Sequence, residues 1–101
     1  MSQSEDPLLS AVRSGDAAGV RRLAGESPNR LDAHGPDGLT ALMVAASIGA
    51  EETVALLLEL GADAGLRDGE GRTAADLAFA NGHTDLGQRL GPESEAERVL
   101  R

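Results

Sequence analysis

"DGLTALMVAASIGAEETVALLLELGAD", residues 37–63, is the stretch whose reading decides the fold. Thr40 precedes a run of small and apolar residues, Gly49 interrupts that run, and a second run opens on Glu51-Glu52 and closes at Gly61. A threonine side chain accepts a hydrogen bond from a free backbone N–H at a helix start, and glycine takes the left-handed conformation that ends helices. In the second run Val54, Leu57 and Leu58 fall at i, i+3 and i+4, one helical stripe. The two glutamates suit the positive end of a helix dipole. The stretch therefore predicts two short helices joined by a tight turn.

The pattern recurs in "EGRTAADLAFANGHTDLGQRLG", residues 70–91. Gly38 and Gly71, Thr40 and Thr73, Ala41 and Ala74, Ala45 and Ala78, and Gly49 and Gly82 are each 33 residues apart. Upstream, Gly15 lies 34 residues before Gly49; under that shift Pro7-Leu8-Leu9 falls on Ala41-Leu42-Met43, and Val20 and Leu23 on Val54 and Leu57. The extra residue is placed in the loop near "ESPNRLDAHGP". The chain thus divides into three copies, at residues 5–34, 35–67 and 68–91, with residues 1–4 expected to be disordered and 92–101 a tail. In that tail Ser94 could cap a short helix gripping through Val99 and Leu100. The segments "HGPDG" and "RDGEG" between copies are turn chemistry. A helix pair of this length cannot bury an apolar face alone, so the predicted fold is all-α: a solenoid of three stacked helix–turn–helix units joined by hairpin-like loops.

A period near 33 with a threonine-led, glycine-interrupted helix pair resembles the ankyrin repeat, whose signature reads T-P-L-H-x-A. Here that signature stands as "TALMVAA" (residues 40–46), "TAADLAFANGH" (73–83) and, with Asp6 in the threonine slot, "DPLLSAV" (6–12). The segment "LLLELGAD", residues 56–63, is similar to the family's second helix and its exit. Proline is replaced by Ala41 and Ala74, and the signature histidine by Leu9, Met43 and Asp76. In the family that histidine ties neighbouring turns together, so these repeats are expected to be individually weaker than consensus ones. The third copy is the poorest: Gly87 and Gly91 stand where the second has Val54 and Leu58. Two helical glycines cost roughly 2 kcal/mol relative to alanine, so Gly87→Ala is expected to stabilise if the methyl has room.

Composition narrows the function. Hydrophobic residues make up 41% of the 101, yet only Phe79 is aromatic, which favours closely packed helices over a β-sandwich. The net charge is -8, with all nine bases arginine. An acidic chain repels phosphate backbones and anionic membrane surfaces, so neither nucleic acid nor membrane is an expected partner. The chain has no cysteine, which excludes disulfides and thiolate metal sites, and no signal-peptide pattern or long apolar run. A cytoplasmic, soluble protein is expected, and the lysine-free, Ala/Gly/Arg-rich usage hints at a bacterial source.

No catalytic constellation stands out. His34 and His83 read as turn residues, and there is no cysteine nucleophile. The run "RDGEGRTAAD", residues 67–76, carries Asp68, Glu70 and Asp76 but lacks the acidic spacing and distal glutamate of a calcium loop, so a solvated hairpin tip is expected. Gly69 and Gly71 lack the lysine of a phosphate cradle. Arg13, Arg21, Arg22 and Arg30 form the one basic concentration, read either as a solvated helix face or as a dock for an acidic partner. No enzyme activity, cofactor or metal is expected.

The resemblance implies a protein–protein interaction module, an adaptor or inhibitor, whose hairpin tips and first-helix faces line a concave groove. On this chain those positions are Pro36, Asp37, Leu39, Ser47 and Ile48 of the second repeat, Gly69, Glu70, Arg72, Ala80 and Asn81 of the third, and Arg13 and Ser14 of the first. Leu39 and Ile48 are expected to point away from the stack as an apolar anchor. A monomer binding a protein partner is the leading expectation; the alternative is a structural, self-associating protein whose patch around Leu39 and Ile48 closes on a second copy.

Overall fold

The computed structural model describes residues 7–26, 31–35 and 38–90. Six helices occupy them in order: α1 (Pro7–Ser14), α2 (Ala17–Glu26), α3 (Ala41–Ile48), α4 (Glu51–Glu59), α5 (Ala74–Ala80) and α6 (Thr84–Arg89). No strand occurs among the described residues. α1 packs on α2, α3 on α4 and α5 on α6, while α3 also packs on α1 and α5, and α2 on α4. First helices thus form one row and second helices another, with α3 at the centre.

The starts and stops follow local chemistry. The Thr40 and Thr73 hydroxyls each accept the amide three residues on, from Met43 and Asp76, both at 3.3 Å. Asp16 does the same for α2, its Oδ1 accepting the Gly19 amide at 2.9 Å. Gly15, Gly49 and Gly82 sit at φ of 74°, 76° and 85°, the region L-residues avoid, so each first helix ends there. In the second and third repeats the residues in the signature-histidine slot find a local use. Met43 Sδ accepts the Thr40 amide at 3.4 Å and Asp76 Oδ2 accepts the Thr73 amide at 3.0 Å, closing a capping box in each repeat. Asp6, proposed as the first repeat's cap, and the tail with Ser94, Val99 and Leu100 lie outside the described residues.

One core runs through all three units. Ala41 to Ala46 of α3 are all buried, covered by α1 on one side, α5 on the other and α4 behind. Leu8, Leu9 and Val12 of α1, Val20 of α2, Leu57 of α4, Leu77 of α5 and Leu86 of α6 are among the residues that extend it. Fully burying a Leu or Val side chain is worth about 1.5–3 kcal/mol, and small alanines let the helix rows approach closely.

The interior corrects three expectations. The buried stripe of α4 is Thr53, Val54, Leu56 and Leu57, whereas Leu58 is an exposed hydrophobic. A helix has 3.6 residues per turn, and the arc turned inward is 53–54–56–57, which leaves 58 outside. Second, a methyl on Gly87 would have to displace the Phe79 ring. A Cβ there would lie 2.9 Å from Phe79 Cε2 and Cζ. Phe79 occupies the slot of Ala46, one period on, and Gly87 that of Val54, so a large ring and a missing side chain compensate each other. Third, Asp68 is buried at a tip whose sequence reads as solvated.

Candidate partner-binding surface

Two rims flank the row of first helices. The eight-residue α3 spans about 12 Å at 1.5 Å per residue, so turns entering the first helices form one rim and helix ends the other. The described residues of the expected set divide between them, Leu39, Glu70 and Arg72 on the turns and Arg13, Ser14, Ser47, Ile48, Ala80 and Asn81 at the helix ends. Pro36 and Asp37 lie outside the described residues.

On the turn rim, Asp68 organises the tip. Its Oδ1 accepts the Glu70 and Arg72 amides at 2.8 and 2.9 Å. Its Oδ2 accepts Arg72 Nε at 3.0 Å and pairs with the guanidinium Nη2 at 2.9 Å. The Arg72 amide holds the Asp68 carboxyl below the usual carboxylate range; burial works against it, and the Glu70 amide and the Arg72 guanidinium add to the lowering. Arg72 is thereby fixed against its own turn, with Glu70 a further partner at 3.6 Å. The turn before α3 has the same backbone bonds, Gly35 to Leu39 and Gly38 to Gly35, each 2.9 Å, with glycine in place of Asp68. His34 bridges the tips, its Nε2 lying 3.1 Å from the Arg67 carbonyl. Leu39, expected to point outward, is half-buried and packs on the core. Its apolar character is explained by that contact, which leaves Ile48 as the large exposed hydrophobic among the described residues of the expected set.

On the helix-end rim, Ser14, Ile48 and Asn81 occupy equivalent positions in successive repeats, as do Arg13, Ser47 and Ala80. Ser14 Oγ donates back to the Ser10 carbonyl at 3.1 Å. Asn81 Nδ2 donates to Ser47 Oγ at 3.3 Å and to the Leu77 carbonyl at 2.8 Å, clamping the third repeat to the second. Ile48, 47% exposed, stands between the Ser14 and Asn81 positions. Arg13 and Ala80 are exposed and Ser47 half-buried. Arg21 and Arg22 are exposed on α2, in the other helix row, and Arg30 lies outside the described residues.

Sequence reading misses the role of Asp68, the clamp made by Asn81 and the seat of His83. A Cβ on Gly49 would lie 2.6 Å from His83 Cε1, so the imidazole lies directly over Gly49. Beside it a shallow depression of about 280 Å³ is lined by Glu51, Gly82, His83, Thr84, Asp85 and Leu86. Arg89 and Glu51, 3.7 Å apart, join α6 to α4. Among the described residues no group of three His, Cys, Asp or Glu side chains is placed to hold a metal. No described helix is long and apolar enough to cross a membrane.

Stacked helix pairs, glycine-stopped first helices and turns projecting from one edge define a helical-repeat solenoid. The family model for ankyrin repeats matches residues 8–97 in three copies, and the chain belongs to the ankyrin-repeat family. It is 50% identical to mouse Rabankyrin-5 over 54 residues, 54% of this chain and 5% of that protein. It is 39% identical to the human ARF GTPase-activating protein GIT1 over 83 residues, 82% of this chain and 11% of that protein. The calmodulin-binding transcription activator 1 of Arabidopsis thaliana is 54% identical over 50 residues, 44% of this chain and 5% of that protein. The chain thus spans a small fraction of the curated relatives it matches. Ankyrin repeats are protein–protein interaction modules, and that is the class to which this fold belongs.

Proposed function

We propose that this chain is a non-enzymatic adaptor or inhibitor that binds a protein partner through its concave face, with Ile48 as the anchor. The observation that carries this is the 47% exposure of Ile48 at the end of a helix whose first six residues are buried. Its neighbours in the row, Ser14, Ser47, Ala80 and Asn81, are small or polar, and Arg13 stands beside them. An apolar centre within a polar rim is the pattern of an interface hot spot. The turn rim, with Leu39, Glu70 and Arg72, supplies the outer edge of the same groove, and Pro36 and Asp37 join the proposed set by their sequence positions alone. The acidic charge of -8 argues against nucleic acid as the ligand. A monomer working in the cytoplasm fits this reading.

The test replaces Ile48 by Asp and measures capture of partner proteins by the full chain. Helical content and melting temperature should stay near wild type while capture weakens at least tenfold, roughly 1.4 kcal/mol. Ala55→Asp, on the exposed side of α4, is the matched control and should capture normally. An unfolded Ile48→Asp chain would make Ile48 a core residue; normal capture would move the site to another face, with Arg13, Arg21 and Arg22 next. Light scattering decides the self-association alternative, which requires a dimer at micromolar concentration that Ile48→Asp dissolves.

A further inference from the structure

Asn81 is followed by Gly82. That pair carries a latent reaction, because glycine has no side chain to shield its amide nitrogen from the neighbouring carboxamide. We propose that Asn81 is a site of spontaneous deamidation whose rate is set by opening of the contact between the second and third repeats. In the first step the Gly82 nitrogen bonds to Asn81 Cγ and gives up its proton to solvent base. The Cγ–Nδ2 bond then breaks, ammonia leaves with a proton from solvent, and a five-membered succinimide remains. Water opens that ring at either carbonyl, giving aspartate or an isoaspartate whose main chain runs through the former side chain. One water is consumed and one ammonia released, with no redox change and no further reactant.

The folded geometry holds the first step off. Asn81 sits at ψ 12°, which turns the Gly82 nitrogen to the side of Cα away from the carboxamide. Ring closure requires a rotation of more than a right angle about that bond. The carboxamide is itself held, donating to Leu77 and Ser47 at 2.8 and 3.3 Å. The attacking nitrogen donates to the Phe79 carbonyl at 3.0 Å, and the next amide, of His83, to Ala78 at 2.8 Å. Rotation at Asn81 breaks these bonds and carries His83 with it, off its seat on Gly49. The attack geometry is therefore reached only when the turn into α6 has come away from the second repeat. Asn81 and Gly82 are both exposed, so water and base reach them without further unfolding.

The product reinforces the opening. An ionised carboxylate at position 81 has no N–H to offer the Leu77 carbonyl, and isoaspartate inserts an extra backbone carbon into the turn. Either change loosens the clamp that had restrained the reaction, irreversibly. The proposal stands on this contact alone and does not depend on what the groove binds.

The experiment incubates the full chain at mildly alkaline pH in a series of urea concentrations. Conversion at residue 81 is followed by peptide mapping with isoaspartate detection, and Asn29, which precedes Arg30, is the internal comparison. The rate at 81 should be at least about tenfold lower in the folded chain than in unfolding urea, rising through the series as the open fraction rises. Asn81→Asp should have a lower urea midpoint than wild type. Equal rates at 81 in folded and unfolded chains overturn the gate; no faster reaction at 81 than at Asn29 in the unfolded chain overturns the reactivity.

Discussion

Gly49→Ala probes the junction between the second and third repeats. Two costs add at this position. The φ of 76° places an alanine in the left-handed region, at about 1–2 kcal/mol. The new Cβ would also lie 2.6 to 2.8 Å from three atoms of the His83 ring, so the half-buried imidazole must leave its seat. Overpacking costs about 1–3 kcal/mol, and the freedom of an imidazole to swing outward puts this case at the lower end, near 1 kcal/mol. The expected loss is therefore about 2–3 kcal/mol, a large part of the roughly 5–15 kcal/mol available to a domain of this size. Gly15 and Gly82 provide controls: they share the backbone conformation, at φ 74° and 85°, but a methyl on either would have nothing within 4 Å. Gly15→Ala and Gly82→Ala should lose only the backbone component. Urea unfolding followed by helical circular dichroism measures all three, and His83→Ala in the Gly49→Ala background should return the steric part while leaving the backbone part. If Gly49→Ala and Gly15→Ala agree within about 0.5 kcal/mol, the seat of His83 on Gly49 is refuted.

Other contacts give three further expected outcomes. Gly87→Ala should give no net stabilisation, because displacing the Phe79 ring offsets the roughly 1 kcal/mol gained in helix propensity; in a Phe79→Ala background the same change should stabilise by about that amount. A gain in the Phe79 chain equal to that in the Phe79→Ala chain would dissociate the two residues. Asp68 has a folded pKa below its unfolded value of about 3.9, so its stabilising contribution is complete above that value and is lost as pH falls through the folded pKa. Asp68→Asn should lower the melting temperature at neutral pH and converge with wild type at acid pH; parallel curves down to the acid limit would remove Asp68 from the linkage. Amides of Val54 to Leu57, in the buried centre of α4, should exchange more slowly than those of Leu86 to Leu90 in the six-residue α6, and hydrogen exchange showing the reverse order would contradict the placement of the weak end.

The legible part of the fold is written in local chemistry. Thr40 and Thr73 can cap only the helices that begin after them, and Gly15, Gly49 and Gly82 can end only the helices before them. Helix starts and stops, the period and the family are therefore all visible in the chain itself. Contacts between helices are not legible in the same way. Gly87 reads as a weak helix residue until Phe79 is seen lying over it, and Leu58 reads as part of a stripe until the facing arc of α4 is known. Leu39 reads as an outward anchor because the repeat register places its turn but does not say how deep a turn side chain reaches. Asp68 reads as a solvated tip because its ligands are backbone amides, invisible in a residue pattern. A signal is nevertheless present there: an aspartate followed by glycine, two residues before an acidic residue and four before an arginine, can fold back on its own turn. For the candidate site, sequence places Ile48 and Asn81 in equivalent positions but does not show that one is exposed and apolar while the other is a clamp.

The complete burial of Ala41 through Ala46 has a consequence for how such a chain can acquire a new partner. Those six side chains are enclosed by α1, α4 and α5 together, so enlarging one disturbs a packed interface. Freedom to vary is displaced to the last residues of α3, half-buried Ser47 and exposed Ile48, where a substitution meets solvent first. With the anchor proposed at Ile48, the middle repeat separates inheritance of shape from choice of ligand within a single helix: its first six positions keep the stack together, and its last two would be where recognition drifts without loss of the fold.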